Sequence, residues 1–379
     1  MSDEVYVELV ERLDDRVAAV DGHGFRVTPF YRSDALSTHF GFDSAGGVWV
    51  KDETSNVSGS HKARHLMGVM IHLLVSEAAG ITDPASRPTL AIASCGNAAL
   101  GAAVVAAAER WPLRVYVPSD ADSSVLSRLA DLGAAVVVCD RRVGEEGDPT
   151  LRRLLDGIGA RQVPGIGARQ VPFTCQGNLN ALSIEGGSTL AYEIIAALAN
   201  IALTADHIVV QVGGGALATA TIRAFDDALD AGLLAKTPRI HTLQPAGAHP
   251  LERAYTKLKA LAGDHPRHED VERLAADAAR HRSAYMWPWD HPASVASGII
   301  DDETYDWVAV VKGMLRSAGT AIVAGESDLR SAHAVAGASG IAASPTGTAG
   351  LAGVASLIET GTVQLSERVI VLVTGAQRD

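Results

Sequence analysis

Along most of the chain, apolar runs alternate with stretches of helical periodicity. VWVKDE (48–53) precedes a helix from about residue 61, in which Met67, Met70, Ile71 and Leu74 share one face. TLAIAS (89–94) leads through Cys95, Gly96 and Asn97 into an Ala-rich helix over 98–109. LRVYVP (113–118), a helix around 123–132 and AAVVVC (134–139) follow. HIVVQV (207–212) runs into GGGALATATIRAF, and RIHTLQP (239–245) comes after that helix. GTAGLAGVASLIE (347–359) reads as a helix and RVIVLVTG (368–375) as a closing strand. Strand–turn–helix units in this order predict an α/β protein with mainly parallel sheets covered by helices. Strands this apolar do not suit a half-exposed antiparallel sheet.

Two features interrupt the alternation. GIGARQVP occurs twice in tandem, at 157–164 and 165–172. Eight residues are too few for a solenoid unit, so the repeat reads as a duplicated surface loop, with a lid over a site as the sharper alternative. The stretch 262–293, rich in His, Asp and Arg and ending in MWPWDHP, reads as a polar excursion on the substrate side or the outer surface. Its Trp287 and Trp289 serve equally well as packing residues.

Composition narrows the class. The 379 residues are 47 % hydrophobic and 20 % charged, which excludes general disorder, and they are long enough for two domains. A net charge of −12 argues against a nucleic-acid partner, which calls for a basic face. Three scattered cysteines make neither a disulfide framework nor a zinc site, so no metal is expected. The acidic N-terminus does not read as a secretory signal. Pro88–Ala108 carries no charge, but its SCGN core is a turn rather than part of a membrane span. The expectation is a soluble, cytoplasmic protein.

Four segments carry candidate chemistry. In NVSGSHKAR (56–64), Ser58 or Ser60 can cap the coming helix and Gly59 permits a tight turn. Lys62 then falls in the first helical turn, where the dipole disfavours a cation, which suits a nucleophilic amine. No Walker phosphate-loop spacing is present. Ser94, Cys95, Gly96 and Asn97 lie at the carboxyl end of an apolar strand, where ligands collect and helix N–H groups can hold a carboxylate. Asn97, read alone, is an N-cap. Gly213, Gly214 and Gly215, with Ala216 and Leu217, form a strand-to-helix loop suited to a compact phosphate monoester; GxGxxG is absent. Thr374 ends the last strand and, read alone, is a satisfied hydroxyl.

Taken in order, these segments resemble the fold-type II pyridoxal-phosphate enzymes, the tryptophan synthase β-like group, and within it the threonine synthase and threonine dehydratase branch. NVSGSHKAR resembles that branch's N-P-T-G-S-F-K-D-R, ASCGNAALGAA (93–103) its asparagine loop, IEGGSTLAYEI (184–194) its E-G-x-x-T-x-x-x-E-I, and VLVTG its closing strand. The resemblance implies two domains, each a mainly parallel sheet flanked by helices: a large cofactor domain of 1–84 and 176–379, and a smaller mobile domain of 85–175. It implies pyridoxal 5'-phosphate held by Lys62 as a Schiff base in the cleft between them. Asn97 would bond the ring's phenolic oxygen, and Gly213, Gly214, Gly215, Ala216 and Leu217 would cradle the phosphate. Thr374 would face the pyridine nitrogen and leave it largely unprotonated, which favours β-elimination and replacement over transamination. Ser94, Cys95 and Gly96 would receive the carboxylate of a small amino acid. Homodimerisation is implied as well.

Departures bear on the substrate. His61 stands for the usual Phe, Ala63 for Asp, and Cys95 for Ser or Thr. The threonine synthase stretch N-P-Y-R-x-E-G reads NLNALSIEGG here, so its arginine, the natural bidentate partner of a phosphate, is missing. The sequence stops five residues after Thr374, which disfavours an allosterically controlled deaminase. The expected activity is β-elimination, of ammonia-lyase or dehydratase type, on a substrate such as serine or threonine through an external aldimine and an aminoacrylate. The alternatives are a threonine synthase-like or β-replacement enzyme and a catalytically silent binding homologue. A nicotinamide oxidoreductase lacks a ribose-binding acid near LLAKTP.

Overall fold

A computed structural model describes residues 1–141, 147–159, 170–264 and 266–378. The chain divides into two compact units, Met1–Arg26 with Asn56–Gly187, and Val27–Ser55 with Ser188–Asp379. The described strands are β1 (Phe30–Ser33), β2 (Gly47–Asp52), β3 (Leu90–Ala93), β4 (Leu113–Pro118), β5 (Ala135–Cys139), β6 (Val171–Pro172), β7 (His207–Gln211), β8 (Arg239–Pro245), β9 (Ala321–Ala324) and β10 (Arg368–Val373). The first unit holds a parallel sheet in the order β5-β4-β3-β6. The second holds β1-β2-β10-β7-β8-β9, parallel except for the antiparallel β1–β2 edge. The expected α/β class with two mainly parallel sheets is the one observed.

The central strands read as unbroken apolar runs because each face has its own core. Ile208, Val210, Ile370 and Leu372 enter one cluster with the helices Ala216–Asp230 and Trp307–Ser317. Their alternates Val209, Val369, Val371 and Val373 enter another with the helix Gly350–Glu359. In the first unit the helix Asn97–Ala108 is buried nearly all round, packed by the helices Asp3–Asp21 and Lys62–Ala78. That burial explains the uncharged stretch 88–108. Among the described residues no helix is long and apolar enough to cross a membrane.

The structure differs from the sequence reading in places. Residues 1–26 and 56–84 group with the smaller sheet, because both flanking helices pack on Asn97–Ala108, and 176–187 go with them. Much of 262–293 is not an excursion: His268–Arg280 is an amphipathic helix that buries Val271, Ala275 and Ala278 and keeps its charges outward. Trp287 and Trp289 pack on the guanidinium of Arg253, 4.1 and 4.6 Å from their ring centres. Of the tandem repeat, residues 160–169 lie outside the described residues.

Polar groups buried in the second unit are paired directionally. Lys51, fully buried on β2, forms an ion pair with Glu193 and donates to Thr28 O at 2.8 Å, and Thr28 in turn donates to Glu53. At the amino end of β7, Thr320 N donates to His241 Nδ1 (3.1 Å), so His241 Nε2 donates to His207 Nδ1 (2.9 Å) and His207 Nε2 to Glu367 (3.1 Å). This direction requires both rings to be neutral. Burial, with His207 and Arg239 adding, holds His241 down at about 3. Burial also lowers His207 despite Glu367 beside it, with Arg239 and Asp206 nearby.

Unfolded imidazoles titrate near 6.5. The stability that comes from keeping these rings neutral is therefore full above that pH and lost progressively as pH falls from about 6.5 toward the folded values. Urea midpoints measured across that window should fall with pH. His241→Gln should flatten the slope by up to one proton, about 1.4 kcal/mol per pH unit.

Candidate active site

In the first unit, Asn56–Ser60 makes a tight approach to the helix Lys62–Ala78. Ser58 adopts φ +56°, a costly conformation for a non-glycine residue, with its N–H donated to Asp21 at 2.7 Å. Ser60 Oγ accepts from Lys62 N at 3.4 Å, so Ser60 rather than Ser58 reaches the first turn. Lys62 is the first helical residue and half-buried, as its position predicts.

The neighbours of this helix approach at backbone distance. Gly101 faces Ala63, where an added Cβ would lie 3.1 Å from its nitrogen. A Cβ at Gly186 would lie 2.1 Å from Arg64 O, and one at Gly187 the same distance from the His65 ring. The IEGGS stretch is thus the place where two helices touch without side chains between them. Asn97 lies four residues before Gly101 on the same helix face. Asn97 is not the cap: Gly96 is, and no side chain caps this helix. Ser94 is half-buried and Cys95 exposed at the same strand end.

His65, which the sequence reading does not single out, is fully buried one turn beyond Lys62. Its Nδ1 donates to Ser183 O at 2.9 Å, and its Nε2 is buried with no partner among the described residues. Burial, His61 and Lys62 push its pKa well below the usual range, so the ring is neutral.

In the second unit, β7 and β10 are parallel neighbours, and the glycine loop and Thr374 leave their adjacent carboxyl ends. Gly215, with φ +97°, turns the chain into the helix Ala216–Asp230, which no side chain caps. A Cβ at Gly213 would strike Asp301 at 2.1 Å, and one at Gly214 would press on the Tyr305 ring at 2.9 Å. The glycines thus admit Asp301 and Tyr305 against the loop, and the uncapped N–H groups at the start of the following helix are of the kind that suits an anion. Thr374 is buried and accepts from Gln211 Nε2 at 2.9 Å. Asp301, Tyr305 and Gln211 escape the sequence reading. Only Gln211 leaves a signal there, as a polar residue ending an apolar strand.

The first unit holds a half-buried amine at a helix start, and the second holds a glycine loop before an uncapped helix and a buried hydroxyl, groups that fit the aldehyde and phosphate of pyridoxal phosphate. A family model described as "Pyridoxal-phosphate dependent enzyme" matches residues 23–375. The chain belongs to that family, and its cofactor is pyridoxal phosphate. It is similar to the threonine synthase of Mycobacterium leprae, 26 % identical over 355 residues, covering 92 % of this chain and 80 % of that one. Its fold is similar to that of Escherichia coli diaminopropionate ammonia lyase solved with D-serine, with TM-score 0.70, 19 % identity and 98 % and 89 % of the two chains covered. The processed form of threonine deaminase isoform 2 from Solanum lycopersicum aligns with TM-score 0.67 and 16 % identity, covering 100 % of this chain and 86 % of that one.

Gly186→Ala should cost about 1–3 kcal/mol of stability, because a backbone must move to admit the methyl group. Gly337→Ala, in a helix with nothing within 4 Å of the added methyl, should be neutral or stabilising by up to about 1 kcal/mol. Thermal unfolding of the two variants makes the comparison.

Proposed function

We propose that the protein eliminates a β-substituent from a small, unphosphorylated amino acid such as serine, threonine or a relative, and releases a keto acid and ammonia. One observation carries this reading over a threonine synthase reaction. The position of that branch's arginine is held by Ser183, which is fully buried, with its hydroxyl directed at the carbonyls of Asn180 (2.8 Å) and Cys175 (3.1 Å). Nothing at that position can pair with a substrate phosphate.

Pyridoxal phosphate, when bound, supplies an electron sink conjugated to the substrate's Cα. Lys62 would hold it covalently through its amine. The same amine, released when the amino acid takes its place, would remove the Cα proton as general base and return a proton to the leaving group. Gly213, Gly214, Gly215, Ala216 and Leu217 would anchor the phosphate through backbone N–H groups. Asn97 would donate to the phenolic oxygen, and Thr374 would face the pyridine nitrogen. Ser94, Cys95 and Gly96 would orient the substrate carboxylate at the start of an uncapped helix. A homodimer in the cytoplasm completes the reading.

The second reading, a threonine synthase-like enzyme, is favoured by the 26 % identity to such an enzyme over 92 % of the chain. A panel of amino acids that includes phosphohomoserine separates the two. We expect keto acid and ammonia from an unphosphorylated substrate and no turnover of phosphohomoserine; threonine formed from phosphohomoserine would sink the elimination reading. Lys62→Ala should abolish borohydride-trapped cofactor in the mass spectrum and lower turnover by about 10²–10⁴-fold or more.

A further inference from the structure

At the amino end of β8 the second unit opens into a half-open cleft of about 230 Å³, between the helices Ala216–Asp230 and Trp307–Ser317. That volume is several times the roughly 30 Å³ of a water molecule and below the roughly 300 Å³ of a drug-sized pocket, so the cleft suits a small organic molecule. Asp226, on its wall, lies three turns along the helix that leaves the glycine loop. At 1.5 Å per residue it is roughly 16 Å from Gly215, so the cleft is separate from that loop.

The lining joins one charged pair to apolar surface. Arg316 Nη1 donates to Asp226 Oδ2 at 2.9 Å, with the two side chains 24 % and 29 % exposed. Neither has another hydrogen-bond partner among the described residues, so the Nε–Nη2 edge of the guanidinium and the second carboxylate oxygen remain available. Burial raises the Asp226 carboxyl above its usual range although Arg316 and Lys312 draw it down, and Asp230 adds to the rise. A second cation beside Asp226 would relieve that cost. Ile222, Leu229 and Ile240 make the apolar wall. Gly313 lets the two helices close behind it, since a Cβ there would lie 2.6 Å from Ile222. Ser317 adds no selectivity, because its hydroxyl accepts from Ile240 N at 3.1 Å and donates to Met314 O at 3.3 Å. The ion pair alone would clamp the two helices; the open volume between it and the branched side chains is what a ligand would fill.

We propose that this cleft binds a small α-amino acid with an apolar side chain: its carboxylate on the Nε–Nη2 edge of Arg316, its ammonium on Asp226, and its side chain against Ile222, Leu229 and Ile240. An α-amino acid carries its opposite charges one carbon apart, which matches a cleft whose own opposite charges are in contact. A carboxylate or an amine alone would serve one member of the pair and take a partner from the other. The site does not depend on how Lys62 or the glycine loop holds the cofactor.

The test is methyl NMR of the holoenzyme labelled at the isoleucine δ1 methyl groups, with Ile222→Val and Ile240→Val assigning the two cleft signals. The probes are L-norvaline, which has no β-leaving group, and its single-charge analogues pentanoate and butylamine. Norvaline should move both cleft signals saturably, and the analogues at the same concentrations should not. Arg316→Gln and Asp226→Asn should each weaken norvaline binding about tenfold or more. Thr237→Trp, which fills the cleft from its half-buried rim and keeps the ion pair, should abolish it. The cofactor's absorption band, followed in the same titrations, reports norvaline at the cofactor separately. The absence of a saturable shift with norvaline would overturn the proposal, as would an equal response to pentanoate or butylamine. Cleft shifts that persist in Thr237→Trp and track the cofactor band would place norvaline at the cofactor alone, which also overturns it. The rim variant keeps the result decisive if a charge variant does not fold.

Discussion

The first unit depends on how closely three backbones can approach around the start of the helix Lys62–Ala78. Gly68 sits against Gly186, where an added Cβ would be 2.8 Å from the facing Cα. Gly101 sits against Ala63, and Gly187 against the His65 ring. Backbone contacts at Gly68, Gly101 and Gly186, with the His65 ring closing on Gly187, leave little freedom for axial sliding, because interiors are close-packed and relax only partly. The first turn of this helix, which carries Lys62, is fixed by positions elsewhere in the chain. The strained Ser58 and the Ser60 contact then fix the direction from which the chain enters it. Any reactive group carried on this turn gains from such support, because a misplaced reactive group loses the advantage of orientation.

The second unit solves a different problem, that of burying polar groups at both ends of one sheet. At the amino ends, His207 and His241 pass a single direction of hydrogen bonding from Thr320 to Glu367. At the carboxyl ends, Gln211 and Thr374 do the same on a shorter scale. The two ends are not equivalent. Parallel connections aim helix amino termini at the carboxyl ends only, and the glycine loop opens there. The histidine pair therefore lies away from the loop, while the Gln211–Thr374 pair lies beside it at the opposite end of β7.

Much of this is legible in the sequence. The strands at 48–53, 89–94, 113–118, 134–139, 207–212, 239–245 and 368–375 are recovered within a residue or two, most of them because strands buried on both faces leave continuous apolar runs, though the edge strand β5 is apolar while partly exposed. The short β1 and β6 carry no such run, and β9, an apolar AIVA, passes unread. The helix His268–Arg280 is hidden by its composition: three small or branched apolar residues suffice to bury one face when the rest is charged. The glycine pair of IEGGS is legible as a motif but not as a contact, since its reason lies in Arg64 and His65, more than a hundred residues away. Asn97 reads alone as a cap, whereas the structure gives the cap position to Gly96. Local propensity cannot distinguish these adjacent positions once a tertiary contact at Gly101 sets the helix phase.

The departures from the threonine synthase pattern divide by what surrounds them. His61 is buried and packs edge-on against His65, with ring centres 5.7 Å apart, so it keeps the aromatic packing role of the residue it replaces. Ala63 is fully buried against the backbone of Gly101, where a longer acidic side chain would have to displace a helix or bury a charge. Neither change demands a different ligand. Ser183 is the departure that changes the donor set, since a short hydroxyl aimed at two carbonyls stands where that pattern has an arginine, while its own carbonyl accepts from His65. Restoring an arginine there would displace a fully buried side chain from its place beside the Lys62 helix. The serine at this position is therefore held by the same packing that fixes the start of the Lys62 helix.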